Sequence, residues 1–152
     1  MLALDDLQKD VLEREIRAFV KEVADPEARS RYATFLQEVE SGEVSEEHAR
    51  LLAGLLEVVL ESGRARKLYG PAGENSLISL FQKTPQGSAL TQQANEVNQA
   101  LKGIEDQVVK KMSFRPSKPG SWVLTLQTDR CELTLRIDRR EIRVDNLGID
   151  LA

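Results

Sequence analysis

The stretch WVLTLQTDRCELTLRIDRREIRV, Trp122–Val144, decides the fold of the C-terminal half. Its apolar residues recur at every second position, the period of a strand with one buried face. If Asp129-Arg130 is a two-residue turn, Leu126 faces Leu133, Leu124 faces Leu135 and Trp122 faces Ile137. If Arg139-Arg140 is a second turn, Ile137 faces Ile142 and Leu135 faces Val144. A slip of one residue in either hairpin would scatter these side chains over both faces, so the two registers support each other. After Val144 the apolar positions move to Leu147, Ile149 and Leu151, a change of step that predicts a bulge or turn at Asp145-Asn146. The opposite face carries Thr125, Gln127, Glu132, Thr134, Arg136, Glu141 and Arg143, with Val123 among them. It is polar, so helices should cover the sheet on one side only, the side of Trp122, Leu124 and Leu135.

Upstream, Val108, Met112 and Phe114 alternate as in a strand, although Val108 also continues a helical spacing, and a strand near 107–114 is favoured. Before it the period is that of helices. Leu4, Leu7, Val11, Leu12, Ile16, Phe19, Val20 and Val23 share one helix face. Asp25-Pro26-Glu27 supplies a capping oxygen, a proline that loses no needed N–H and an acid in the first turn. That second helix carries Tyr32, Phe35, Leu36 and Val39 and stops at Gly42. Ser45 is expected to cap a third helix through Glu46, Glu47 and His48, whose LLAGLLEVVL centre is apolar on nearly every face and so deeply buried. A turn at Gly70-Pro71-Ala72-Gly73, a short helix from Ser76 to Lys83 and a longer one opened by Thr84-Pro85 complete the helical part.

The expected fold is therefore α+β: an N-terminal helical bundle of about five helices, one of them short, then a three- or four-stranded antiparallel β-meander with one face packed on helices. The helical part covers residues 4–104 and the meander about 107–151, within a single domain spanning 1–152. A chain of 152 residues with 41% hydrophobic and 30% charged residues is long enough to bury a core without a metal or a disulfide. Cys131 is the one cysteine, which excludes an intramolecular disulfide and fits a reducing compartment. The start, MLALDDLQKD, lacks the basic and apolar regions of a secretory signal, and no apolar run is long enough for a bilayer. These features predict a cytoplasmic, membrane-free protein.

Charge is divided unevenly. Residues 1–62 carry 7 Lys+Arg against 15 Asp+Glu, whereas residues 63–152 carry 14 against 10. The two halves could attract each other or another copy of the chain. Chemistry-bearing motifs are scarce. His48 is the one histidine and is read as a solvated residue on a helix shoulder, without the converging partners of a nucleophile–base pair. Cys131, facing Thr128, reads as a small apolar filler, and one His with one Cys cannot build a typical zinc site. The carboxylate pairs Asp5/Asp6, Glu46/Glu47 and Glu57/Glu61 read as solvated helix faces, the last tempered by Arg64. GPAGENS lacks the lysine ending and the preceding strand of a phosphate loop. No cofactor is indicated, and no enzyme activity.

The registers give the arginines of LRIDRREIRV, Leu135–Val144, a place. Arg139 and Arg140 form a hairpin tip, and the PSKPG loop with Lys118 enters at the same sheet end. Arg115 would lie beside it, and Arg136 and Arg143 face each other across the polar surface, a like-charge pairing that costs stability. With Trp122 at the rim, Arg115, Lys118, Arg136, Arg139, Arg140 and Arg143 form a candidate site for an anionic partner. Asp138 and Glu141 dilute it, and a charged tip is also the ordinary way to keep a sheet end soluble. The expected function is a non-catalytic protein-interaction or assembly module, binding another protein or itself. The alternative is a phosphate- or nucleic-acid-binding protein that uses the basic end of the sheet.

Overall fold

The computed structural model describes residues 1–149. Five helices precede a four-stranded antiparallel sheet, so the α+β reading holds, with four strands in the meander. Leu151, the last apolar position of the sequence register, lies outside the described residues. The chain divides into two compact units, Met1–Ser88 and a second that begins at Ala89.

The first unit starts with strand β1 (Leu2–Ala3), followed by helices α1 (Asp6–Glu22) and α2 (Pro26–Ser41), strand β2 (Glu43–Val44), and helices α3 (Ala49–Glu61) and α4 (Arg64–Lys83). Asp5 caps α1 by accepting from Gln8 N at 2.8 Å, and the Gln8 side chain returns a bond to Asp5 N. Asp25 caps α2 through Glu27 N and Ala28 N, and Gly42 ends it with φ +88°, a conformation that favours glycine. Both boundaries of α2 match the sequence reading. β1 and β2 pair antiparallel, Leu2 opposite Val44, an element that two residues of sequence could not announce.

Three features of this unit differ from expectation. α3 begins at Ala49, after a turn over Glu46–His48, because the Ser45 hydroxyl bonds Glu38 and reaches His48 N only at 3.4 Å. α3 also keeps one open side, with Val58 63% exposed, while Leu52, Leu55, Leu56 and Val59 are buried. The expected turn at 70–73 is a kink: α4 runs on both sides of Gly70, whose φ of +72° breaks the helix before Pro71 restarts it. α1 packs on α2 and α4, and α3 on α4. Their apolar stripes meet in one core in which Leu12, Ile16, Phe35, Leu52, Leu56, Leu77 and Leu80 are almost wholly buried.

Helix α5 (Pro85–Lys102) follows, with the Thr84 hydroxyl accepting from Gly87 N at 3.2 Å. Strands β3 (Val109–Pro116), β4 (Trp122–Thr128), β5 (Cys131–Ile137) and β6 (Ile142–Ile149) then form the sheet in the order β3-β4-β5-β6. β3 lies two residues later than the sequence places it. Leu126 pairs with Leu133, Leu124 with Leu135, Trp122 with Ile137, Ile137 with Ile142 and Leu135 with Val144, as both hairpin registers require. The step from Leu135–Val144 to Thr134–Asn146 leaves Asp145 as the extra residue of a bulge, where the apolar period changes. Val97, Ala100 and Leu101 of α5, with Ile104 in the turn after it, pack on Leu124, Leu126, Leu133, Leu135 and Val144. This contact makes α5 part of the sheet's layer, which is why the division into units falls near its start. Among the described residues no helix is long and apolar enough to cross a membrane.

Candidate functional site

On the polar face of the sheet, Arg115, Val123, Arg136 and Arg143 occupy one row across all four strands. The expected clash between Arg136 and Arg143 does not arise. The bulge turns Asp145 toward them, and its carboxylate accepts from Arg136 Nε and Arg143 Nε, each at 3.1 Å. Arg143 also lies 3.8 Å from Glu141. Two of the four arginines in LRIDRREIRV are thus held within the sheet and neutralised in part.

At the end of the sheet two loops meet. In the β3–β4 connection Ser117 N donates to Ser121 O at 3.0 Å, Ser121 N donates to Lys118 O at 2.9 Å, and Gly120 takes φ +81°. In the β5–β6 connection Asp138 N donates to Glu141 O at 2.8 Å, which leaves Arg139 and Arg140 at the tip. The buried Ser121 hydroxyl donates to the Asp138 carboxylate and so links the loops. That bond, helped by the charges of Lys118 and Arg143, holds the Asp138 carboxyl below its ordinary range. Between the loops lies an open pocket of about 390 Å³ lined in part by Lys118, Ser121, Asp138, Arg139, Arg140 and Glu141. Arg115, Lys118, Arg139 and Arg140 are exposed and make no ion pair among the described residues. The structure therefore gathers all the sequence-predicted cations at this end, with Arg136 and Arg143 tied to Asp145.

Trp122 needs a correction. It was expected to belong to the helix-covered face, and its register puts it there, yet it is 43% exposed. The apolar stripe of α5 reaches only the middle of the sheet. Beyond its reach Met112 and Phe114 of β3 are 65% and 59% exposed, and Phe114 stacks on Trp122 with ring centroids 5.3 Å apart at 9°. This apolar patch beside the cations is the feature that sequence reasoning missed. Its signal was present: β3 alternates as an edge strand does, and one amphipathic helix is narrower than four strands.

Asp5, Asp6, Glu46, Glu47 and Glu61 are exposed, as their sequence reading has them, but His48 and Arg64 are placed differently. His48 is buried, only 6% exposed, and stacks on Phe35, with Nδ1 2.9 Å from Glu38 Oε1. The solvated-shoulder expectation is overturned because the turn before α3 rotates the ring inward. Ser45 Oγ approaches the same ring nitrogen, at 3.4 Å, and itself donates to Glu38 at 2.9 Å. A nucleophile–base relay needs the hydroxyl and the carboxylate on opposite nitrogens, so this trio is arranged as a structural tie. Burial pushes the Glu38 carboxyl up, but hydrogen bonds from Ser45 N–H, His48 and the Ser45 hydroxyl outweigh it and leave it below its ordinary value.

Glu15, on the buried face of α1, receives Arg64 through both oxygens at 3.1 and 3.2 Å and the Tyr69 hydroxyl at 2.7 Å. Arg64 thus serves Glu15 and not Glu61. Burial, then the hydrogen bond to Glu15, pushes the Tyr69 phenol up to about 12. Cys131 is buried with its sulfur 3.3 Å from Thr128 Oγ1, as a filler at the hairpin edge. No group of three or more His, Cys, Asp or Glu that could hold a metal is present among the described residues. No family model matches the chain, and neither a curated protein nor a solved structure matches it.

Proposed function

We propose that this chain is a non-catalytic protein-interaction module that binds through the open side of its sheet. The observation that carries the reading is the contiguous exposure of Met112, Phe114 and Trp122 on one face. Fully burying a side chain of this kind stabilises by about 1.5–3 kcal/mol, so three of them together would anchor a partner. Exposed aromatic side chains grouped with a methionine are also the composition of an interface centre. A reducing, cytoplasmic setting is part of the proposal and agrees with the single cysteine.

The test is affinity capture from the native cell, followed by titration of each captured protein in purified form against wild type and Phe114→Ser/Trp122→Ser. At least one should bind the wild type and lose roughly tenfold or more in affinity with the variant, whose fold is checked by circular dichroism. Equal binding by the two proteins would move the partner to another surface and remove the reading.

A second reading, a phosphate or nucleic-acid binder, is supported by Lys118, Arg139 and Arg140 around the pocket at the sheet end. Asp138 and Glu141 line the same pocket and weaken the case. Binding of inorganic phosphate or an oligonucleotide should then fall steeply with salt and vanish in Arg139→Glu/Arg140→Glu. A salt-insensitive result would remove it.

A further inference from the structure

β3 is an edge strand, bonded to β4 on one side, and each of its residues from Val109 to Pro116 is exposed. An edge of this kind leaves a row of N–H and C=O groups for another strand. Its side chains alternate: Met112 and Phe114 point to the apolar face, and Lys111, Ser113 and Arg115 to the polar one. The charge at this edge has one sign. β3 holds Lys110, Lys111 and Arg115 and no carboxylate, and its neighbour β4, WVLTLQT, holds no charge at all. Lys111 and Arg115 make no ion pair among the described residues.

Building on the protein-interaction reading, we infer that the partner is an extended acidic segment that adds to β3 as a fifth strand. In such an addition, side chains directly opposite one another lie about 4.5–5.5 Å apart. Apolar residues opposite Met112 and Phe114 enlarge the patch shared with Trp122. Carboxylates opposite Lys111 and Arg115 supply the missing anions on the other face. The recognised pattern is acidic, apolar, any, apolar, acidic, which reads the same in either strand direction.

Two other occupants fit less well. A second copy pairing β3 with β3 would gather six cations and no carboxylate along one seam. A single-stranded nucleic acid needs its bases on the aromatics and its phosphates on cations of the same face, whereas Lys111 and Arg115 leave the sheet on the face opposite Phe114 and Trp122. The lysines and Pro116 also discourage indiscriminate strand addition, so the charge that protects the edge selects what can join it.

The experiment titrates the full chain against labelled peptides of about nine residues with Glu-Val-Thr-Val-Glu or Lys-Val-Thr-Val-Lys at the centre, and against a short oligothymidylate. The acidic peptide should bind about tenfold or more tightly than the basic one at low salt and slow amide exchange in Val109–Pro116. Lys111→Glu/Arg115→Glu should reverse the preference. Absence of a preference, or tighter binding of the oligothymidylate, overturns the inference. A purified partner that depends on Phe114 and Trp122 but ignores the Lys111/Arg115 reversal also overturns it, while leaving the interaction-module reading intact. A partner that ignores both pairs removes the two together.

Discussion

The helical unit and the sheet unit solve the same problem with different completeness. In the first, four helices enclose a core, and Gln8, Glu15 and His48, buried beside it, each have partners: Gln8 has Ser76, Glu15 has Arg64 and Tyr69, and His48 has Glu38. In the second, one helix lies on four strands and leaves Met112, Phe114, Trp122 and Leu147 substantially exposed. The contrast is the reason the proposed partner is placed on the sheet. A surface that folding has already closed has little apolar area left to offer a partner, whereas an open sheet edge keeps both apolar area and backbone hydrogen bonds in reserve.

The largest effect that tests this contrast is on stability. Leu56→Ala removes a side chain that is 1% exposed in the helical core and should cost about 2–5 kcal/mol. Met112→Ser, at 65% exposure, should change stability by less than about 0.5 kcal/mol. Urea unfolding followed by circular dichroism measures both. Comparable losses in the two variants would mean that the sheet's open side is a folded-state core after all, and the contrast would fail.

Much of the difference was legible beforehand, and the reasons are local. Strand periodicity, Asp145-Asn146 at the change of step, Asp25-Pro26 and Gly42 each act within a few residues, so the hairpin registers, the bulge and the limits of α2 are written in neighbouring positions. His48 depends on Glu38, 10 residues away, and Glu15 on Arg64 and Tyr69, 49 and 54 residues away. A polar residue among apolar ones cannot announce such a partner. The candidate site stands between these cases. Its cations follow from the registers, but the exposure of Trp122 depends on how far α5 reaches across the sheet, a width that no single strand encodes.

The polar ties of the helical unit should appear as an effect of intermediate size, in the dependence of stability on pH. Glu38 has a folded-state pKa below its ordinary 4.5, so its contribution is fully present above that value and is lost as pH falls through the lower, folded one. Tyr69 is the opposite case. Its folded pKa, about 12, lies above the ordinary 10.0, so its contribution is complete below pH 10 and is lost as pH rises toward 12. Glu38→Gln should flatten the acid limb of stability and Tyr69→Phe the alkaline limb, measured as urea midpoints across pH. Unchanged limbs would mean that these ties contribute nothing to the closure of the helical unit.

The smallest effect concerns Asp145, and it sharpens the comparison from the side of the sheet. Its carboxylate joins Arg136 and Arg143, which are partly exposed, so Asp145→Ala should cost less than about 1 kcal/mol. The change in charge is larger in consequence than the change in stability. Arg136 would lose its carboxylate and Arg143 would keep only Glu141, so with Arg115 they form a less compensated row across the polar face, which tips the balance at the sheet end toward anions. Inorganic phosphate or an oligonucleotide should then bind the variant more tightly than the wild type, with a steeper dependence on salt. The bulge that the sequence announces at Asp145-Asn146 is on this argument the device that keeps LRIDRREIRV from being a general anion site. If Asp145→Ala leaves anion binding unchanged, the cations of that hairpin are solvated charges only, and selectivity at this end of the protein belongs to the β3 edge alone.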